Sequence, residues 1–192
     1  MMSEMPSLEH RFRAAVAHNP ANVALLERLP PLDLPDCWLV AGCLFQAVWN
    51  VDAGRAPEAG VSDYDVFYFD DTDLSYEAED RVIQSVLARS ADLGVTIEVK
   101  NQARVHIWYQ QRFGTAYPQL RSSKEGIDRF LVAGTCVGIG ASLANAGELY
   151  APFGLADIFD GILRPNLHNA PGNRSPEKAA SYRARWPHLR VL

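Results

Sequence analysis

Two aspartates separated by a single residue are the strongest chemical signal in the sequence. They lie in DYDVFYFD, whose aromatic and β-branched residues predict a strand. Because side chains alternate along a strand, Asp63 and Asp65 are expected on the same face. Neighbouring carboxylates repel each other, and a divalent cation is the simplest way to keep both ionised. The pair therefore predicts a Mg²⁺ or Mn²⁺ site, although aspartate pairs also occur in turns and at solvated strand ends.

A third acid, Glu98, lies in VTIEV, which is also predicted to be a strand. Three carboxylates can hold two ions about 3.5–4 Å apart, an arrangement that activates an attacking oxygen and stabilises a leaving oxygen in phosphoryl transfer. Lys100 and Arg104 follow closely, and their charges could neutralise phosphate oxygens. A solvated helix start with ordinary salt bridges explains the same two charges equally well.

The segment before the acids predicts a strand, a glycine turn and a helix. The apolar run CWLVA is followed by Gly42, and LFQAVWNV continues with helical spacing. Backbone amides at such a turn, together with the helix dipole, can hold phosphate oxygens. Gly42 and Cys43 are therefore candidate phosphate contacts, while a glycine at this position can equally serve packing alone.

These features resemble the polymerase-β-like nucleotidyltransferase superfamily, in which a Gly-Ser or Gly-Gly turn precedes an acid-hydrophobic-acid strand and a later third acid. The chain is more closely similar to a little-characterised bacterial family of nucleotidyltransferase-like proteins, through the ordered blocks AGCLFQAVWN, SDYDVFYFDD, IEVKNQARVH and APFGLADIF. The resemblance covers roughly residues 36–165. It implies that Asp63, Asp65 and Glu98 are the metal ligands and catalytic residues.

By the same resemblance, Gly42 and Cys43 form the phosphate-binding turn. Two departures from the superfamily pattern affect this turn. Cys43 stands where Ser or Gly is usual, so a hydroxyl is replaced by a weaker sulfur donor. About twenty residues separate Gly42 from Asp63, a longer interval than usual, so an inserted loop must bring the turn to the carboxylates.

The implied reaction is a Mg²⁺-dependent transfer of a nucleoside monophosphate from an NTP to an acceptor, with release of pyrophosphate. The acceptor is not identified, and a small molecule is favoured. The alternative is a catalytically weak or inactive nucleotide-binding or regulatory module of the same fold, as the replacement at Cys43 suggests. A structural or interaction domain with solvated acids is a third interpretation.

The elements that position these residues mix strands and helices without a regular βαβ rhythm. They predict an α+β fold, with a small mixed sheet flanked by helices. Residues 36–165 are expected to form the nucleotidyltransferase-like domain, with a helical extension over residues 1–35 before it. Residues 166–192 are expected to form a tail that carries a short helix.

Composition and net charge argue against several classes of protein. A formal net charge of -5 and the lack of a long basic run argue against extensive nucleic-acid binding. No stretch approaches the ~20 apolar residues of a membrane span. The three cysteines lack the spacing of a zinc site or a disulfide framework. A cytoplasmic protein is therefore expected, and the oligomeric state cannot be read from the sequence.

Overall fold

A five-stranded mixed sheet forms the centre of the fold in the computed structural model, which describes residues 6–169 and 174–192. The strands lie in the order β3-β2-β1-β4-β5, and only β2 and β3 run parallel. Their bounds are Trp38–Val40 (β1), Tyr64–Tyr68 (β2), Ile97–Asn101 (β3), Gly138–Gly140 (β4) and Leu149–Tyr150 (β5). The predicted α+β fold with a small mixed sheet flanked by helices is confirmed.

Eight helices surround the sheet in the described part of the chain. Their bounds are Leu8–Ala17 (α1), Pro20–Arg28 (α2), Gly42–Asp52 (α3), Tyr76–Arg89 (α4), Val105–Phe113 (α5), Ser123–Ile127 (α6), Ala156–Phe159 (α7) and Ser175–Arg185 (α8). Short polar side chains start several of them, as at Ser7, Asn19 and Ser75, whose oxygens accept backbone N–H groups of the first turn. A separate two-stranded sheet pairs Ile162–Leu163 (β6) with Arg190–Val191 (β7).

The central sheet separates two apolar clusters. The larger cluster contains Val66 and Val99 and extends to residues of α1 and α3. The smaller cluster lies on the opposite face, where Phe67 packs with Trp38 and Ile127. Since side chains alternate along β2, Asp65 lies on the face of Phe67, beside the smaller cluster.

Both ends of the chain contribute to the larger cluster. Phe12 and Leu25 come from the first two helices, and Tyr182 and Trp186 come from α8. The division into segments 1–35, 36–165 and 166–192 stays a prediction, and residues 1–5 and 170–173 lie outside the described residues. Within the described ranges, no helix is both long and apolar enough to cross a membrane.

Candidate functional site

The turn between β1 and α3 has an unusual backbone. Ala41 adopts φ +60° and ψ −127°, a conformation that residues with a side chain rarely occupy. Its N–H donates to the carbonyl of Val137, 3.1 Å away, which fixes the turn against the end of β4. The chain reverses within this one residue, so α3 begins directly at Gly42. A Cβ at Gly42 would lie 2.7 Å from Nε2 of Gln46, and the glycine therefore lets the Gln46 amide pack against the turn.

Cys43 contributes its backbone to this turn while its sulfur is directed inward. The side chain is fully buried, and Sγ donates to the carbonyl of Val40 at 3.5 Å. Burial raises the pKa of the thiol well above its usual range, so the sulfur stays neutral. The backbone carbonyl of Cys43 accepts a 2.8 Å hydrogen bond from the side-chain amide of Asn22. The first turn of α3 is thereby held in place by α2.

The sheet register brings the acidic residues to this turn. Asp65 pairs with Val40 of β1 on one side and with Glu98 of β3 on the other. Asp63 lies one residue before β2, and its Oδ1 accepts the hydroxyl of Ser62 at 3.1 Å. The register therefore places Glu98 directly opposite Asp65, and Asp63 two residues before Asp65, beside the strand that leads into the glycine turn.

Lys100 lies among the carboxylates. Its Nζ is 2.5 Å from Oε2 of Glu98 and 3.7 Å from Oδ1 of Asp65. The ammonium thus links the two strands at the position where the sequence places a third metal ligand. Across residues 6–169 and 174–192, no three His, Cys, Asp or Glu side chains are arranged closely enough to hold a metal ion.

The electrostatics of Asp65 show the consequence of this grouping. Burial raises the pKa of Asp65 to about 6; the Lys100 charge opposes that rise, and the negative charges of Asp63 and Glu98 add to it. The hydrogen bond from Lys100 lowers the pKa of Glu98. A hard cation prefers oxygen ligands and would relieve the repulsion around Asp65, so the donor set fits Mg²⁺ or Mn²⁺.

A family model described as Nucleotidyltransferase matches residues 27–191, which is most of the chain. The chain belongs to this nucleotidyltransferase family. The resemblance inferred from the sequence and the expectation of a nucleotidyltransferase are both confirmed. A comparison with curated proteins gave no match.

Three solved structures share the fold of this nucleotidyltransferase. An NMR structure described as a CCA-adding enzyme head domain is 24% identical, with a TM-score of 0.73 over 96% of this chain and 95% of that chain. A complex of a CCA-adding enzyme with CTP is 11% identical, with a TM-score of 0.58 over 100% of this chain and 44% of that chain. A tRNA-processing enzyme in an apo form is 15% identical, with a TM-score of 0.51 over 99% and 46% of the two chains. This nucleotidyltransferase therefore matches less than half the length of the last two proteins.

Arg104, a predicted phosphate contact, pairs with a helix rather than with the strand acids, which is the ordinary salt bridge that the sequence left open. Its guanidinium forms a buried ion pair with Glu79 of α4, and its Nε donates to the carbonyl of Leu74 at 2.8 Å. The side chain is only 9% exposed. These partners come from the segment that connects β2 to β3, so Arg104 anchors α4 against the sheet.

The C-terminal helix packs against α3, although the sequence assigned it only to a tail. Tyr182 of α8 packs edge-on against Phe45 and Trp49 of α3, with ring centroids 5.5 and 5.4 Å apart. Burial, together with the charges of Asp65 and Asp63, raises the pKa of the Tyr182 phenol. The spacing of Ala179, Tyr182 and Trp186 marks the apolar face of α8, but no local pattern identifies what this face contacts.

The inserted loop between α3 and β2 is held by one buried asparagine. Asn50 donates from Nδ2 to the carbonyls of Pro57 and Ala59, at 2.9 and 2.8 Å. Its Oδ1 accepts the indole N–H of Trp186 at 2.9 Å. One side chain therefore joins α3, α8 and the loop that leads to Asp63.

Proposed function

We propose that this nucleotidyltransferase transfers a nucleoside monophosphate from an NTP to an acceptor, with Mg²⁺ or Mn²⁺ and with release of pyrophosphate. The supporting observation is the register that places Asp65 opposite Glu98 on two neighbouring strands, with Asp63 just before the first of them and Val40, which leads into the Gly42 turn, on the other side of Asp65. In this proposal Asp63 and Asp65 are the principal metal ligands, and Glu98 is the third.

Other residues of the chain would bind the triphosphate. The amides of Gly42 and Cys43, at the start of α3, would receive oxygens of the triphosphate. Lys100 would exchange its contact with Glu98 for a phosphate oxygen once substrate is bound. The bound cation would supply positive charge at the reacting phosphate and lower the pKa of the acceptor.

The proposed substrates rest on the family, the shared fold and the net charge of the chain. An NTP is supported by the family and by the fold shared with a CCA-adding enzyme solved with CTP. A small acceptor is favoured over a long nucleic acid because the chain carries a net charge of -5. Three buried, free cysteines fit a reducing compartment, so we assign the reaction to the cytoplasm.

The decisive experiment compares Asp65→Asn with Asp71→Asn. Asp71 is an exposed acid shortly after the same strand, so the control removes the same charge outside the site. Calorimetry with each NTP in the presence of Mg²⁺ should show binding that Asp65→Asn weakens at least about tenfold, since a carboxylate ligand is lost. Pyrophosphate release with a panel of acceptors should fall in parallel. Unchanged binding and turnover in Asp65→Asn would contradict the assignment.

A second candidate function, nucleotide binding without efficient transfer, is favoured by the position of Lys100. Its ammonium occupies the space between Glu98 and Asp65, and the thiol of Cys43 is buried away from the turn. A regulatory module would bind NTP in the same place and retain it. Calorimetric binding with no pyrophosphate release from any NTP and acceptor combination would support this candidate over the enzyme.

A further inference from the structure

We propose that the junction between α1 and α2 positions the two halves of the nucleotide site relative to each other. Its Asn22 holds the Gly42 turn, and its Asn19 holds the strand of the paired aspartates. Both asparagines precede residues 27–191, over which the family model matches, so the family match assigns them no part in the site. This inference rests on the proposed function and adds two positioning residues to it.

Asn22 fixes the first turn of α3 from outside that helix. Its side chain is fully buried, and its Nδ2 donates to the carbonyl of Cys43 at 2.8 Å and to that of Val16, in α1, at 3.5 Å. The neighbouring Ala41 holds a rarely occupied backbone conformation, which persists only where the surrounding structure over-determines it. The bond from Asn22 is one of the contacts that hold this turn, so its loss should let the amides proposed to receive the triphosphate move.

Asn19 fixes the acidic strand through a tyrosine. The hydroxyl of Tyr64 accepts from Nδ2 of Asn19 at 3.1 Å, and both side chains are buried. Tyr64 is the first residue of β2 and lies between Asp63 and Asp65 in the sequence, with its ring in the larger apolar cluster. Because neighbouring side chains of a strand point to opposite faces, a ring anchored on one face fixes the backbone between the two carboxylates.

The two asparagines form one hydrogen-bonded unit. Oδ1 of Asn19 caps α2 by accepting the backbone N–H groups of Ala21 and Asn22, at 3.0 and 3.4 Å. An unbroken series of hydrogen bonds therefore runs from the Cys43 carbonyl through Asn22 and Asn19 to the phenol of Tyr64. Since the two ends of this series are the phosphate turn and the acidic strand, it sets how far the triphosphate lies from the metal ligands.

Core stability alone does not explain an asparagine at position 22. The Oδ1 of Asn22 is buried and has no hydrogen-bond partner among the described residues, which costs free energy that an apolar side chain would avoid. What the amide supplies is the donor that the Cys43 carbonyl receives, and this contact serves the position of the turn.

The test titrates the tightest-binding of the four NTPs by calorimetry in the presence of Mn²⁺. Asn22→Ala removes the donor to the turn and should weaken NTP binding at saturating Mn²⁺ about three- to tenfold, the loss of one hydrogen bond that places a phosphate contact. The Mn²⁺ concentration for half-maximal binding, measured with the NTP held at the dissociation constant of each variant, should stay unchanged. If Asn22→Ala does not fold, Asn22→Leu keeps the branched shape of the side chain and should give the same result.

Tyr64→Phe removes only the hydroxyl that Asn19 holds and leaves the helix cap in place. It should raise the half-maximal Mn²⁺ concentration about threefold and change NTP affinity at saturating Mn²⁺ little, because the acids and not the turn lose their support. Leu25→Ala is the matched control, since Leu25 is a fully buried residue of the same helix that contributes packing. It should lower the urea midpoint at least as much and leave both binding parameters of the folded protein unchanged, and Leu25→Val replaces it if it does not fold.

The possible outcomes separate the two proposals. Unchanged NTP affinity in the Asn22 variant, or the same binding shifts in the Leu25 control, would overturn the positioning role, while loss of binding in Asp65→Asn would still support the proposed function. An unchanged Mn²⁺ midpoint in Tyr64→Phe would overturn the part assigned to Asn19. If the unaltered protein bound no NTP with either metal, both proposals would be wrong.

Discussion

The carboxylate of Asp65 lies in surroundings that oppose its negative charge. It is 20% exposed, and burial raises its pKa from 3.8 to about 6. Asp63 and Glu98 increase the repulsion, and Lys100 relieves only a part of it. A carboxylate whose charge destabilises the folded protein is a candidate functional group, and here the proposed function of the charge is to bind a cation.

Because the Asp65 charge opposes folding, we expect Asp65→Asn to stabilise the metal-free protein, by an amount that depends on pH. Because the folded-state pKa is raised, the ionised carboxylate opposes folding fully above pH 6, and this cost disappears below about pH 4. The substitution should therefore raise the free energy of unfolding by about 1–2 kcal/mol at pH 8 and by little at pH 4. Urea denaturation in EDTA at the two pH values measures the difference.

The control for this prediction is Asp71→Asn, an exposed site where the substitution should change stability little at either pH. An Asp65→Asn protein less stable than the unaltered chain at pH 8 would contradict the electrostatic account of this carboxylate.

At the residue scale, the regular geometry of strands makes one part of the arrangement predictable: β2 and β3 adjoin, and β3 brings Glu98 opposite Asp65. The roles of Asp63, Asp65 and Glu98 as metal ligands stay predictions. The pairing of Arg104 with Glu79 could not be predicted in the same way. This ion pair joins residues of different elements. Only the tertiary packing determines that Arg104, which is close to Glu98 in the sequence, contacts α4.

Among the elements, the loop between α3 and β2 is joined to its neighbours by a buried side chain, that of Asn50. Asn50 makes three hydrogen bonds, to Pro57, Ala59 and Trp186, and is fully buried. This loop is part of the long stretch of chain between the glycine turn and the acids. Because the loop is attached to α3 and α8, that long stretch does not prevent the turn and the acids from lying close together.

Asn50→Ala should therefore destabilise both the loop and the fold. Two carbonyls and one indole N–H would lose their partner, at a cost of about 2–4 kcal/mol. Hydrogen exchange should become faster over residues 54–63, and the urea midpoint should fall. Gln84→Ala, an exposed position in α4, is the control and should affect neither measurement. Unchanged exchange in the loop would show that other contacts hold it.

At the scale of the whole molecule, the larger apolar cluster joins segments that the sequence separated. Helical and strand periodicity favours burial of apolar side chains such as those of Trp38, Trp49 and Phe67, and all three are buried. Periodicity does not predict which faces of helices and strands pack together when they are far apart in the sequence. The packing of α8 on α3, more than 120 residues away along the chain, therefore needed the structure.

The shared core leads to a prediction about cooperativity. Trp186 is 1% exposed, its ring centroid lies 5.3 Å from that of Trp49 in a tilted arrangement, and it donates its indole N–H to Asn50. Trp186→Ala should lower the free energy of unfolding by about 3–5 kcal/mol, because a large buried ring is lost.

If residues 174–192 fold with the rest of the chain, far-UV circular dichroism and tryptophan fluorescence should report one coincident urea transition at a lower midpoint. Leu143→Ala removes an apolar side chain that is 67% exposed and should leave the midpoint almost unchanged. Two separated transitions in Trp186→Ala, or an unchanged midpoint, would instead support a C-terminal tail that folds independently of the sheet.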